Sequence, residues 1–222
     1  MSFQAALFDM DGLLLDTEAL TIDCMQETAR AFDLPDLSQT FIGMVGLRSD
    51  LAMAVLKRGL NGAVDAETFT ADASARIAER RTYGIPVKPG VRELLQLLRA
   101  QGTPCALATS SRTETAEIYL AQTGLRRFFE TLTGGDKVMH AKPHPEIYLT
   151  AAASIGVDPK KTVAFEDSEP GVRAAHAARA RVVQVPDLIA PSDDLKALRH
   201  HIAPDVLSGA RAIGLIDGPD IR

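Results

Sequence analysis

The sequence predicts an α/β protein: a parallel sheet covered on both faces by helices, with a small helical block inserted after the first strand. Three observations carry this. The stretch "AALFDMDGLLLDTE" opens as a buried strand at Ala5–Phe8 and turns acidic at Asp9 and Asp11. From residue 91 onward, short apolar runs alternate with segments of helical spacing, the grammar of a parallel sheet. Between these, residues 18 to 83 contain helical patterns and no convincing strand, and "YGIPVKPG" closes the block with Gly84, Pro86, Pro89 and Gly90. The boundaries that follow are residues 1–16 and 85–222 for the sheet-bearing core and 17–84 for the helical insertion.

Within the insertion, Glu18 to Phe32 spaces Leu20, Cys24 and Ala31 on one side of a helix, and Leu51 to Leu60 and Glu67 to Arg81 give two more. In the core, "VRELLQLLRAQG" aligns Val91, Leu94, Leu95 and Leu98 and stops at Gly102. "PCALATSS" is a strand, and Ser111 with Glu114 reads as a capping box that starts the next helix, ending near Gly124. "FFETLTGG" is a strand, followed by a helix from Pro145 to Gly156. "TVAFEDS", "GVRAAHAARA" and "RVVQVPD" give strand, helix and strand. The tail from Ser192 reads as a helix, a short final strand and a helix.

The totals exclude several classes. A net charge of -5 over 222 residues, with Lys and Arg scattered, argues against a nucleic-acid partner. No apolar run is long enough to span a bilayer, and the N-terminus lacks the pattern of a signal peptide, so no membrane partner and a cytoplasmic location are expected. Cys24 and Cys105 sit far apart in apolar settings and read as reduced core thiols.

Ligands of open parallel sheets bind at the carboxyl ends of the strands. Here the first strand ends in Asp9 and Asp11, the second in Thr109 and Ser110, and "VAF" in Glu166 and Asp167, while Lys142 precedes a helix start in "HAKPHPEIY". A spacing of two on a strand puts Asp9 and Asp11 on one face. Clustered carboxylates repel, and a hard divalent cation such as Mg²⁺ removes the conflict. Asp9, Asp167 and a backbone carbonyl near Asp11 suit such a site. Lys142 and Thr109 are then left for a phosphoryl group, whose charge the ammonium neutralises and whose oxygen the hydroxyl contacts, with the helix start at Ser111 adding anion affinity.

In this order, "DMDGLLLDT", "ATSS", "KPHPEIY" and "EDSEPG" resemble the four motifs of the haloacid dehalogenase superfamily, and the insertion resembles the small cap of its β-phosphoglucomutase-like phosphatases. The resemblance covers nearly the whole chain. It implies a Rossmann-like core with an inserted α-helical cap domain, and a Mg²⁺-dependent phosphatase acting on a small phosphorylated metabolite, a sugar phosphate being the favoured class. Asp9 is then the nucleophile that forms an aspartyl-phosphate, and Asp11 the acid and base. The metal set is Asp9, the Asp11 carbonyl and Asp167, with Glu166 reaching metal-bound waters. Thr109, Ser110 and Lys142 are the phosphate-binding residues, and Arg48 in the cap loop "MVGLRSD" is a substrate-binding candidate.

The same residues admit other readings. A lone DxD is often a turn, Thr109 alone an ordinary strand end, and Lys142 alone a solvated lysine. A phosphomutase of the β-phosphoglucomutase kind shares core and cap, but such enzymes carry a cap histidine shortly after the first motif, where "DTEALTID" has Thr21. A dehalogenase needs neither Asp11 nor a metal. A phospho-accepting signalling module takes its acceptor from a later strand and lacks the insertion. Of the five histidines, His140 and His144 flank Lys142, and none has the sequence spacing of a transition-metal site.

Overall fold

The computed structural model describes residues 3–45 and 49–217, so Arg48 lies outside the described residues. The chain divides into two compact units, Met1–Leu15 with Pro86–Arg222, and Asp16–Ile85. The first is built on a six-stranded sheet of β1 Ala5–Phe8, β2 Cys105–Ala108, β3 Thr131–Thr133, β4 Thr162–Glu166, β5 Arg181–Gln184 and β6 His201–Ile202. Its order is β3-β2-β1-β4-β5-β6 and every pairing is parallel. β1, β2 and β4 are buried along their whole length, which is why they read as unbroken apolar runs with no alternation. Phe8 pairs in register with Leu107 and Phe165, and its ring stacks on Phe165 at 4.9 Å between centroids.

One sequence expectation is corrected at β1. The strand ends at Phe8, so Asp9 and Asp11 do not share a face of it. The Asp9 amide still donates to the Phe165 carbonyl at 3.1 Å. The chain then turns tightly: the Met10 carbonyl accepts from both Leu14 and Leu15, and Gly12 has φ of +81°, where a side chain is strained.

The Asp16–Ile85 unit is helical: α1 Thr17–Ala31, α2 Ser38–Ile42, α3 Ser49–Leu60 and α4 Ala66–Thr82, with no strand among the described residues. α2 was not foreseen in the sequence. Its Phe41 is buried with Leu56, Leu60 and Phe69 in a separate core. Asp65 caps α4 by accepting the Thr68 amide at 2.9 Å. Thr28, wholly buried in α1, donates to Asp72 of α4 and ties the two helices together.

Returning to the first unit, α5 Val91–Ala100, α6 Thr113–Gln122, α7 Glu146–Ser154, α8 Glu169–Ala177, α9 Asp193–Lys196 and α10 Val206–Ala212 alternate with its strands. Small residues let α7 and α8 lie close on one face: Ala151, Ala152, Ala174 and Ala175 pack with Ala106, Ala164 and Val182. Gly209 of α10 sits against Val183, whose side chain points to the opposite face from Val182, so both faces are covered. Cys24 and Cys105 are free and buried, and burial pushes the Cys105 thiol up to about 12. Among the described residues no helix is long and apolar enough to cross a membrane.

The capping of α6 also departs from expectation. Arg112, not Ser111, holds the cap position, and the Thr113 amide and hydroxyl donate instead to Asp136 at 2.6 and 2.8 Å. Ser111 is thereby free for a different contact.

Candidate active site

Parallel strands with β1 at the centre, β2 and β3 to one side and β4 to β6 to the other, leave a crevice where the order reverses. The polar residues gather at that edge. Asp9 follows β1, Thr109 follows β2, and Glu166 and Asp167 fall at the end of β4. Lys142 arrives from the loop before α7, ahead of a cis Lys142–Pro143 bond.

Asp9 and Lys142 are both nearly buried and form an ion pair, Oδ1 to Nζ at 2.5 Å. The same ammonium donates to Glu166 Oε1 at 2.6 Å. Glu166 is completely buried and takes two further partners: Tyr148 donates its hydroxyl to Oε1 at 2.6 Å, and Ser168 donates its hydroxyl to Oε2 at 3.1 Å. Buried charge is tolerated only when paired and hydrogen-bonded, and here that condition is met. Gly171 of α8 permits it: a Cβ there would overlap the Glu166 carboxylate. Glu166 thus bonds Lys142, Tyr148 and Ser168 at once.

Burial lifts the Asp9 carboxyl to about 7, against the pull of Lys142. Burial alone lowers the Lys142 ammonium, but Asp9 and Glu166 outweigh it and hold its pKa above the ordinary lysine value. Burial, reinforced by Glu166, keeps the Tyr148 phenol protonated well beyond its usual range, so it remains a donor.

Asp11 points elsewhere. Its Oδ2 accepts from the Ser111 hydroxyl at 2.8 Å, with Thr109 Oγ1 at the limit of bonding distance, 3.5 Å. Thr109 Oγ1 in turn accepts the Ser111 amide at 3.1 Å. Ser110 is exposed and lines a cavity of about 310 Å³ with Lys142, Arg112 and Gly135. Two networks therefore lie at this edge, Asp9 with Lys142 and Glu166, and Asp11 with Thr109 and Ser111, while Asp167 stands beside Asp9 and Glu166 and Ser110 lines the cavity.

The oxygens suit a hard cation. Carboxylate oxygens of Asp9, Glu166 and Asp167 lie within 4.8 Å of one another. Asp187 Oδ2 is buried without a hydrogen-bond partner among the described residues, while its other oxygen pairs with Lys88. Gly12 lies beside both: a Cβ on it would collide with Asp167 Oδ2 and come 3.4 Å from Asp187 Oδ2. An all-oxygen donor set, an unfilled acceptor and a glycine keeping the space clear fit a divalent cation with water in its shell. Gln184 supports the site from behind, donating to the Asp167 carbonyl at 3.1 Å.

Sequence reasoning missed Ser111 in this role, and also Tyr148, Gln184 and Asp187. Ser111 was assigned to a cap, and Tyr148 lies in the quoted "KPHPEIY" yet its spacing reads as helix core.

Residues 6–185 match the family of haloacid dehalogenase-like hydrolases. Hexitol phosphatase B of Escherichia coli strain K12 is 37% identical over 202 residues, covering 85% of this chain and 86% of its own. A phosphorylated carbohydrates phosphatase of Thermotoga maritima is 34% identical over 79% of this chain and 81% of its own. A solved haloacid dehalogenase family hydrolase from Deinococcus radiodurans, with bound phosphate and sodium, superposes with a TM-score of 0.84 at 26% identity, covering 97% of this chain and 98% of that one.

Proposed function

Because the chain belongs to the haloacid dehalogenase-like hydrolase family and is a phosphatase within it, we propose that it hydrolyses a small sugar phosphate, with Mg²⁺ and through an aspartyl-phosphate on Asp9. The observation that carries this is the separation of two carboxylates only two residues apart. Asp9 is tied to an ammonium, while Asp11 is turned to a hydroxyl. Different surroundings give two like groups different tasks.

In this reading Lys142 fixes the Asp9 carboxylate, and an Asp9 oxygen bonds to phosphorus as the ester P–O bond breaks. Asp11 gives its proton to the departing alcohol oxygen. It then takes a proton from the water that attacks the acyl phosphate, which releases inorganic phosphate and restores Asp9. Ser111 holds Asp11 in reach of both events. Thr109 and Lys142 meet phosphoryl oxygens, with Ser110 at the rim. Asp9, the Asp11 carbonyl and Asp167 would hold the metal, which when bound supplies positive charge against the transferring phosphoryl group. Glu166 acts through Lys142. The helical insertion, residues 17–84, serves as the cap that selects the substrate, with Arg48 among its candidate contacts.

The two named carbohydrate-phosphate relatives support the sugar class. The phosphomutase alternative is disfavoured at Thr21, whose hydroxyl is spent on the Thr17 carbonyl of its own helix at 2.8 Å. Phosphate release should be measured across hexitol, ketose, aldose and nucleotide monophosphates with Mg²⁺. We expect turnover on sugar or sugar-alcohol phosphates and none in Asp9→Asn. Undiminished release by that variant, or turnover confined to nucleotides, would overturn the reading.

A further inference from the structure

The described residues hold a second group of metal-ligating side chains, apart from the carboxylate centre: His140, His144 and Glu146. We propose that these three form a binding site for a transition-metal ion of the Zn²⁺ class, held by two imidazoles and one carboxylate, with the remaining position open to water.

The side chains come from a short loop and the first residue of α7. The histidines are four residues apart outside any helix, so nothing in their spacing announces that they converge. The loop brings their ring centroids to 4.5 Å. His140 Nδ1 lies 2.8 Å and His144 Nδ1 3.8 Å from Glu146 Oε2. Two ligands bonded at about 2.0–2.1 Å to a tetrahedral ion sit roughly 3.3 Å apart, so each of these two separations needs to change by only about half an ångström, with the ion replacing the His140–Glu146 hydrogen bond and the third pair of ligand atoms within 4.8 Å.

The ligands are also prepared for a cation. Glu146 Oε1 accepts the Met139 amide at 2.9 Å and Oε2 the His140 amide at 3.1 Å. The Met139 amide first, then the His140 ring and amide, keep the carboxylate's pKa below its usual range. His144 Nδ1 accepts the Glu146 amide at 3.3 Å, a long bond that a bound ion would replace at the same nitrogen. The nearest lysine in sequence, Lys142, turns its ammonium inward to Asp9 and Glu166, leaving the outer side free of its positive charge. Two nitrogens and one oxygen favour Zn²⁺, Co²⁺ or Ni²⁺ over Mg²⁺, the reverse of the all-oxygen centre. An ion here would clamp residues 140 to 146, which bracket Lys142, and so slow turnover.

The test titrates Co²⁺ into the full chain in a large excess of Mg²⁺, following visible absorption. One Co²⁺ per chain with the intense bands of a low-coordinate nitrogen–oxygen site is expected. His140→Ala and His144→Ala should each weaken binding at least about tenfold with the circular dichroism unchanged. Asp9→Asn should retain the signal, which makes the result independent of the phosphatase assignment. An equal signal in His144→Ala, or its loss in Asp9→Asn, would overturn the site. Zn²⁺ under the same conditions should slow wild-type turnover and spare His144→Ala. Inhibition of equal size in both would overturn the clamp on Lys142.

Discussion

In the proposed mechanism, the burial of Asp9 sets when its carboxylate can act. With its carboxyl raised to about 7, protons and divalent cations compete for the same oxygens. Protonation removes both nucleophile and ligand, so activity is lost as pH falls. The acid limb of kcat/KM should therefore lie near neutrality at low Mg²⁺ and move to lower pH as Mg²⁺ rises. A limb indifferent to Mg²⁺ would mean that another group titrates. Tyr148 gives a second prediction at this scale. Its hydroxyl is one of the donors that saturate the buried Glu166. Tyr148→Phe should lower unfolding stability by about 1–2 kcal/mol in urea, as expected for an under-satisfied buried carboxylate. A midpoint and slope like the wild type would contradict that account of Glu166.

Among the elements, α6 and α8 show how helices serve the site without supplying its reacting groups. Asp136, not Ser111, receives the first amide of α6. Asp136→Ala should measurably lower the unfolding midpoint, as the loss of a cap does. Ser111→Ala should leave stability within about 0.5 kcal/mol and instead slow turnover through Asp11. The opposite pattern would restore the capping box. In α8, Gly171→Ala would raise helix propensity by up to about 1 kcal/mol. The collision with Glu166 should reverse the sign, giving a less stable and slower protein. A stabilised, fully active Gly171→Ala would show that the carboxylate can move aside at no cost.

For the whole molecule, the parallel sheet was legible because each strand and helix announces itself by period, and because buried strands such as Ala5–Phe8 and Cys105–Ala108 are uninterrupted. The carboxylates and Lys142 were legible because strand ends in such a sheet converge. What escaped depended on distant partners or on length. The α6 cap comes from Asp136, 23 residues beyond Thr113. α2, Ser38–Ile42, is five residues long, too short for a periodic signal. The strand ends at Phe8 as its apolar run does, but the turn that follows separates Asp9 from Asp11, which strand spacing had put on one face. The histidine group converges through a loop, where no period applies. If the oxygens of Asp9 and Asp167 hold a cation, Mg²⁺ at about a hundredfold excess over its dissociation constant should stabilise the protein by about 2.7 kcal/mol. Thermal melts should show that gain, and Asp167→Asn should lose it. A wild-type melt unchanged by Mg²⁺ would remove the cation from this centre.

Most directly, the covalent role of Asp9 can be tested by mixing Asp11→Asn with p-nitrophenyl phosphate and Mg²⁺ in a rapid-quench experiment. Nitrophenolate needs no proton to leave, while the second step lacks its base. The account predicts a burst of one nitrophenolate per site followed by a stall, with borohydride reduction of the quenched protein converting residue 9 to homoserine. Steady release without a burst, or a label on any residue other than Asp9, would contradict it.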